Sequence, residues 1–289
     1  MTSRLVLSVV VPAFNSEATI GRCLAALGAS AQLAGLERTA WEVVVADNGS
    51  SDNTLEVVNE YARNMPIRVV DASLRRGPAA ARNAGARSAE GQVIVFTDSD
   101  DAVSREWLRS WHTWSQAAGK RSIAAGLLTR RDLGEPIALP ATCCPPLHMK
   151  LPFTPGSNCG LSRELFDELG GFDESRQTGE DVDLAWRSLA LGADIECVPA
   201  YVHVMPSRSG KQTLRRYFEY GAGDVTLFRD HRALGPERAP WPLILRSYLG
   251  LLARIPLLID SRQRSRWIHQ AGRRAGRLVA SIQRGTWFP

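Results

Sequence analysis

The sequence predicts an α/β protein with a doubly wound, mostly parallel sheet flanked by helices. Three observations carry that prediction. Runs of Val, Ile and Leu recur at residues 5–11, 41–46, 67–70 and 93–97, apolar throughout, as in strands covered on both faces. Stretches with helical spacing alternate with them. Three of the runs lead straight into polar clusters, at the strand ends where open α/β sheets place ligands.

In chain order, the strand at 5–11 (LVLSVVV) is expected to end at Pro12, which has no N–H to give a ladder. Residues 16–27 have helical spacing, with Asn15 or Ser16 available as cap. The strand at 41–46 ends at Asp47, and a helix from about 54 to 64 leads to the short strand at 67–70. Gly77-Pro78 introduces a helix over 79–89, Pro being favoured in a first turn, and 93–97 is the next buried strand.

The chain has 289 residues, a size at which an α/β core often carries a smaller appendage. A main domain over 1–204 and a helical, basic C-terminal extension over 205–289 are expected. The net charge of +5 conceals an asymmetry. Residues 1–204 hold 19 Lys/Arg against 25 Asp/Glu, whereas 205–289 hold 16 against 5. Such a tail suits nucleic acid, an anionic membrane or a phosphorylated substrate. The five cysteines are scattered without CxxC or Cys/His ligand spacing and read as reduced thiols of a cytoplasmic protein, Cys143 and Cys144 included. The short apolar start MTSRLVLSVVVPAFN lacks a cleavage signature, so no secretion signal is expected.

Five segments hold the candidate chemistry. Asp98, Asp100 and Asp101 follow the strand VIVFT, and alternating carboxylates can share a hard cation or form a solvated turn. Asp47 opens DNGSSDNT, where it either meets a base or ribose or serves turn chemistry. Arg82 and Asn83 lie on the helix after Gly77-Pro78; Arg82 faces a nucleotide or pairs with a rim carboxylate. Glu180 and Asp181 open an apolar-periodic helix, where capping alone would explain them. His203 ends the strand-like run PAYVHV, and SGKQT lacks the earlier glycine of a phosphate loop. GxGxxG after the first strand, GxSxG and HExxH are all missing, against dinucleotide oxidoreductases, α/β-hydrolases and zinc proteases.

In combination, VVVPAFN, VVVADNGSSDNT, GPAAARNAG, FTDSDD, PGSNCGLSRELFDELGGFDES and GEDVDLAWRSLALG resemble, in order and spacing, the inverting glycosyltransferase family 2 over about residues 5–204. The resemblance implies a GT-A fold, with a donor half at about 1–102 and an acceptor and base half at about 103–204. It implies a nucleotide-diphosphate sugar donor of UDP, GDP or dTDP type and a divalent metal, Mn²⁺ or Mg²⁺. By the same resemblance Asp47 would read the base, with Pro12 and Asn15 lining its pocket and Arg82 near the nucleotide. Asp98 would contact the ribose or support the metal, Asp100 would bind the metal, and His203 would reach the metal or diphosphate. Asp181 and Glu180 would be the catalytic pair, with Asp181, the second of them, as general base. Asn48 stands where the family often has an acid.

A nucleotidyltransferase would show a Gly-rich basic loop after the first strand, which VVVPAFNSEATIG lacks. The remaining alternative is a catalytically inactive nucleotide-sugar-binding or membrane-associated interaction module. In the tail, WPLILRSYLGLLARIPLLI is apolar but interrupted by Arg246, Arg254 and Pro256, so a spanning helix is not expected. Either an amphipathic helix lies on an anionic membrane, making the protein peripheral on the cytoplasmic face, or a helical hairpin packs on the core or a second subunit. No nucleic-acid recognition motif accompanies the charge. The acceptor is expected to offer a free hydroxyl, and a lipid-linked or polysaccharide acceptor suits such a tail.

Overall fold

A computed structural model describes residues 6–130, 149, 151–204, 210–255 and 260–288. In chain order these form β1 (Leu7–Ala13), α1 (Glu17–Ala34), β2 (Trp41–Asp47), α2 (Thr54–Ala62), β3 (Ile67–Asp71), α3 (Pro78–Ser88), β4 (Val93–Phe96), β5 (Ala102–Val103), α4 (Trp107–Ala117), β6 (Ile123–Arg130), β7 (Cys159–Ser162), α5 (Arg163–Leu169), α6 (Glu180–Ala190), β8 (Ile195–Val204), α7 (Gly210–Asp230), α8 (Trp241–Ala253) and α9 (Ser261–Gln283). Cys143, Cys144, Met205 and Pro256 lie outside the described residues. The chain divides into two compact units, one holding all eight strands with α1–α6 and the other holding α7–α9.

The eight strands form one sheet in the order β3-β2-β1-β4-β7-β6-β8-β5. β3, β2, β1 and β4 are mutually parallel, β7 runs antiparallel between β4 and β6, and β6 pairs parallel with β8. The period-2 geometry of strands splits the apolar runs between the two faces. Leu7, Val9, Val11 and Ala13 of β1 pack with Ile20, Leu24 and Leu27 of α1 and Trp107 and Trp111 of α4. Val10 and Val44 face the other way, onto Ala86 of α3, Phe166 of α5 and Leu184 of α6. Helices therefore cover both faces, as the continuous apolar runs require.

Two boundaries differ from expectation. β1 continues through Pro12 to Ala13, in register with Ala46 and Asp47 of β2. Val10 directs its carbonyl to Thr97 on the β4 side and Ala13 directs its own to Asn48 on the β2 side. Alternation then turns the missing N–H of Pro12 toward β4, whose ladder with β1 stops at Val10 and Phe96. α1 runs past residue 27 to Ala34 and ends where Gly35 adopts a left-handed conformation (φ 65°). Cys23 and Cys159 are free and buried, but Cys197 is disulfide-bonded, which corrects the expectation of reduced thiols throughout. Spacing in sequence does not report which sulfurs meet in space.

In the second unit, α7 and α9 pack backbone to backbone. A Cβ at Gly221 would collide with the Arg273 carbonyl and one at Gly276 with the Phe218 carbonyl. Asp224 of α7, 4% exposed, accepts Nε (2.7 Å) and Nη2 (2.8 Å) of Arg273 and Nε of Arg277 (2.8 Å). Burial alone would push its carboxyl up; the two guanidiniums hold it below the ordinary aspartate range.

One buried carboxylate ties the lower ends of three strands in the first unit. Glu42 Oε1 accepts Ser8 Oγ (2.6 Å) and the Glu90 N–H (2.6 Å), while Oε2 accepts Arg68 Nη2 (2.8 Å). Burial opposes its charge, yet the bonds from Ser8 and Arg68 prevail and lower its pKa. Glu42→Gln, which replaces an accepting oxygen with a donating nitrogen, is expected to cost about 1–3 kcal/mol at neutral pH, measurable by urea denaturation. Because the folded pKa is depressed, this stabilisation is present above the unfolded value and fades as pH falls through the folded one. The variant should therefore lose less stability on acidification; equal urea midpoints at neutral pH would remove Glu42 from this role.

Candidate active site

The C-terminal ends of β1 and β2 carry two loops stitched to each other. Asn15 sits at φ 48°, a left-handed conformation asparagine tolerates. Its Oδ1 accepts the Ser51 N–H (2.8 Å) and its N–H donates to Ser50 Oγ (3.0 Å). Asp47, 7% exposed, accepts the Ser50 N–H at 3.2 Å on both oxygens. Pro12 is one residue before Ala13, the β1 partner of Asp47 in register. The structure thus brings Pro12, Asn15 and Asp47 to one rim.

Three further residues complete this rim: Asn48, noted in the sequence only as a departure from the family pattern, Phe14 and Arg76. Asn48 donates from Nδ2 to the Ala72 (2.5 Å) and Arg75 (2.8 Å) carbonyls and accepts the Gly77 N–H at Oδ1 (2.9 Å). It clamps the loop between β3 and α3 against β2. Arg76, on that loop, donates to the Asn48 carbonyl (3.0 Å) and lies 4.9 Å from the centre of the Phe14 ring. Phe14 is 53% exposed, and an exposed aromatic at a strand end was the signal available for it. Nothing in sequence marks Arg76.

The β4 end carries Asp98, Asp100 and Asp101, each of which offers one carboxylate oxygen within 4.8 Å of those of the other two. Three carboxylates this close form a hard, oxygen-only donor set that fits Mg²⁺ or Mn²⁺. Their field reaches Cys23 beneath them on α1, whose thiol is pushed up first by burial and then by Asp101, Asp98 and Asp100. Ser16, before α1, meets Ser99 through the two hydroxyls (2.8 Å). His203 of β8 pairs in register with Ala102, next to Asp101, and its Nδ1 lies 2.6 Å from Thr129 Oγ1. The close acidic group itself does not include it.

Arg82 of α3 connects this cluster to the acidic pair on α6. At 5% exposure, it donates from Nη2 to Asp98 Oδ1 (2.8 Å) and from Nη1 to Glu180 Oε1 (2.9 Å). Burial disfavours its charge, but Asp98 and Glu180 more than offset that and raise its pKa. Of the two alternatives for Arg82, pairing with a rim carboxylate is realised, and Glu180 joins it. A Cβ at Gly156 would come 3.2 Å from the Arg82 Cζ.

Gly156 also donates its N–H to Asp181 Oδ2 (2.9 Å), and Val182 donates to Oδ1 (2.8 Å). Each carboxylate oxygen is oriented by one backbone donor and retains a further lone pair. Burial first, and then the charge of Glu180, push the Asp181 carboxyl up to about 6. Such a group changes protonation near neutrality, the range useful to a general base. Glu180, by contrast, is committed to Arg82.

Residues 8–134 match the Glycosyl transferase family 2 domain. Glycosyltransferase AglE of Haloferax volcanii is 24% identical over 237 residues, covering 79% of this chain and 76% of AglE. Succinoglycan biosynthesis protein ExoO of Rhizobium meliloti is 31% identical over 217 residues, covering 70% of this chain and 60% of ExoO. The chain thus spans less than two thirds of the ExoO length. Mannosyltransferase PcManGT from Pyrobaculum calidifontis, solved in complex with GDP-Man and Mn²⁺, superposes with a TM-score of 0.68 at 22% identity, over 98% of this chain and 88% of that one. That likeness shows the GT-A fold, in which a mostly parallel sheet is flanked by helices. Residues 8–134 thus carry a Glycosyl transferase family 2 domain, on a sheet of this order with an acidic β4 rim.

Proposed function

We propose that this protein transfers a sugar from a nucleotide-diphosphate donor of UDP, GDP or dTDP type to an acceptor hydroxyl, with inversion at the anomeric carbon. The observation that carries the proposal is Asp181. It is held at both oxygens by backbone N–H groups, has its pKa raised to about 6, and is linked through Glu180 and Arg82 to the β4 acidic cluster.

In this reading Asp47, with Pro12 and Asn15, binds the base end of the donor. Asp98 and Asp100, with Asp101 beside them, would hold Mn²⁺ or Mg²⁺, and His203 flanks them. Bound there, the ion would supply positive charge to offset that of the diphosphate. Asp181 accepts the acceptor hydroxyl's proton as that oxygen bonds to the anomeric carbon and the carbon–diphosphate bond breaks, its electron pair leaving with the nucleotide diphosphate. One displacement of this kind inverts the centre. Arg82 and Glu180 act as positioning residues, holding Asp98 and the start of α6 in place. A lipid-linked or polysaccharide acceptor is consistent with the basic C-terminal helices.

Calorimetric titration of UDP, GDP, dTDP and CDP sugars with Mn²⁺ should find one nucleotide class that binds, and Asp100→Ala should weaken that binding at least about tenfold. No binding of any nucleotide under any metal condition would sink the donor site. Asp181→Asn should lower kcat by about 10²- to 10⁴-fold while donor affinity stays within about twofold. Nucleotide binding with no transfer by the wild type would instead favour the inactive binding module. Deprotonated Asp181 is the active form, so kcat/KM for the acceptor should rise with pH through about 6 and then level. That limb should vanish in the variant; its persistence would assign it to another group. Arg82→Gln leaves Glu180 and Asp98 without their cation. Since Asp98 is 33% exposed and partly screened, a loss of about 2–4 kcal/mol in thermal or urea unfolding is expected.

A further inference from the structure

α8 is amphipathic in the wrong sense for a helix whose apolar residues serve only the fold. Its inward positions are Ile244, Ser247, Tyr248 and Leu251, spaced i, i+3, i+4, i+7. α9 meets that face: Trp267 Nε1 donates to the Leu251 carbonyl (2.8 Å), Arg274 Nε to Ser247 Oγ (3.2 Å), and the Arg274 guanidinium lies 6.0 Å from the Tyr248 ring centre. With that face partnered, the rest of α8 should be polar. It is apolar instead. Trp241, Leu245, Leu249 and Leu252 are 60%, 47%, 56% and 62% exposed, and at 100° per residue they fall within about 80° of arc.

The charge around this stripe has one sign. Between Trp241 and Pro289 there are nine arginines and a single acid, Asp260. Arg246, exposed, lies about 60° of arc beyond the stripe, Arg254, also exposed, lies on the far side of α8 and donates to Gln270 Oε1 of α9 (3.4 Å), and Arg264 and Arg266 are exposed on α9. Among the described residues no helix is long and apolar enough to cross a membrane. A row of leucines ending in tryptophan, flanked by arginines, has the composition of a helix lying in the plane of a lipid surface. There the apolar side chains enter the headgroup boundary and the guanidiniums meet anionic lipid. A second copy of the chain is disfavoured as occupant, because it would bring the same positive charge against itself. Nucleic acid would use the arginines but leave the leucines exposed to water.

We propose that the Trp241–Leu252 face of α8 is a docking surface for an anionic lipid bilayer. The full chain should sediment with vesicles of phosphatidylcholine and phosphatidylglycerol, more weakly with phosphatidylcholine alone, and less as salt is raised. The double variant Leu245→Gln/Leu249→Gln should bind the mixed vesicles about tenfold more weakly or worse. Its unfolding temperature should not fall, since both side chains face solvent. Arg246→Glu should reduce binding to the mixed vesicles and leave that to phosphatidylcholine vesicles unchanged. Failure of the wild type to bind mixed vesicles, or equal binding by the leucine variant, would overturn the proposal. So would light scattering that shows a dimer dissolved by the same leucine changes, which would make a second copy the occupant.

Discussion

Arg82 carries its charge at 5% exposure, and a guanidinium taken out of water without partners would cost several kcal/mol. The fold supplies those partners from segments far apart in the chain. Asp98 comes from the end of β4 and Glu180, 98 residues beyond Arg82, from the start of α6. Neither carboxylate could be withdrawn without exposing the need of the other two groups. The acidic β4 rim and the acidic start of α6 are thereby held in one network, and Asp181, oriented by the Gly156 and Val182 N–H groups, takes part of its raised pKa from the neighbouring Glu180.

The sheet makes that network possible. Parallel β3, β2, β1 and β4 deliver their C-terminal ends to one side, so polar residues that follow each apolar run converge there. β7, inserted antiparallel between β4 and β6, and the segment before it bring Gly156 against both Arg82 and Asp181. Position 156 suits glycine because the Arg82 guanidinium leaves little room for a side chain. The rim loops gain rigidity from short polar links, with Asn15 bonded to Ser50 and Ser51 and Asn48 to three backbone groups of the β3–α3 region.

The second unit uses the same electrostatic device for a different purpose. Asp224 is buried and satisfied by two arginines of α9, while glycines let α7 and α9 approach to backbone contact. Two of the C-terminal arginines are thus structural, although composition alone would count them all as one basic surface. The exposed ones, together with the outward leucines of α8, give this unit a surface unlike that of a self-sufficient helical bundle.

By itself the sequence determined the alternation of strand and helix, the ends of β2, β3 and β4 to within a residue, and the placement of Asp47, Asp98 and Asp100 at strand ends and of Asp181 at a helix start. Those features are local: side-chain periodicity, turn residues and a carboxylate placed after a buried run. The tertiary structure decided what depends on contacts between distant segments. It let β1 run through Pro12 because the neighbouring ladder had already ended, tied Cys197 into a disulfide, and turned Asn48 from an apparent departure from pattern into a clamp. It also paired Arg82 with Glu180 and faced the α8 leucine row outward. Helical spacing reports that a stripe exists; only the position of α9 decides which stripe is covered.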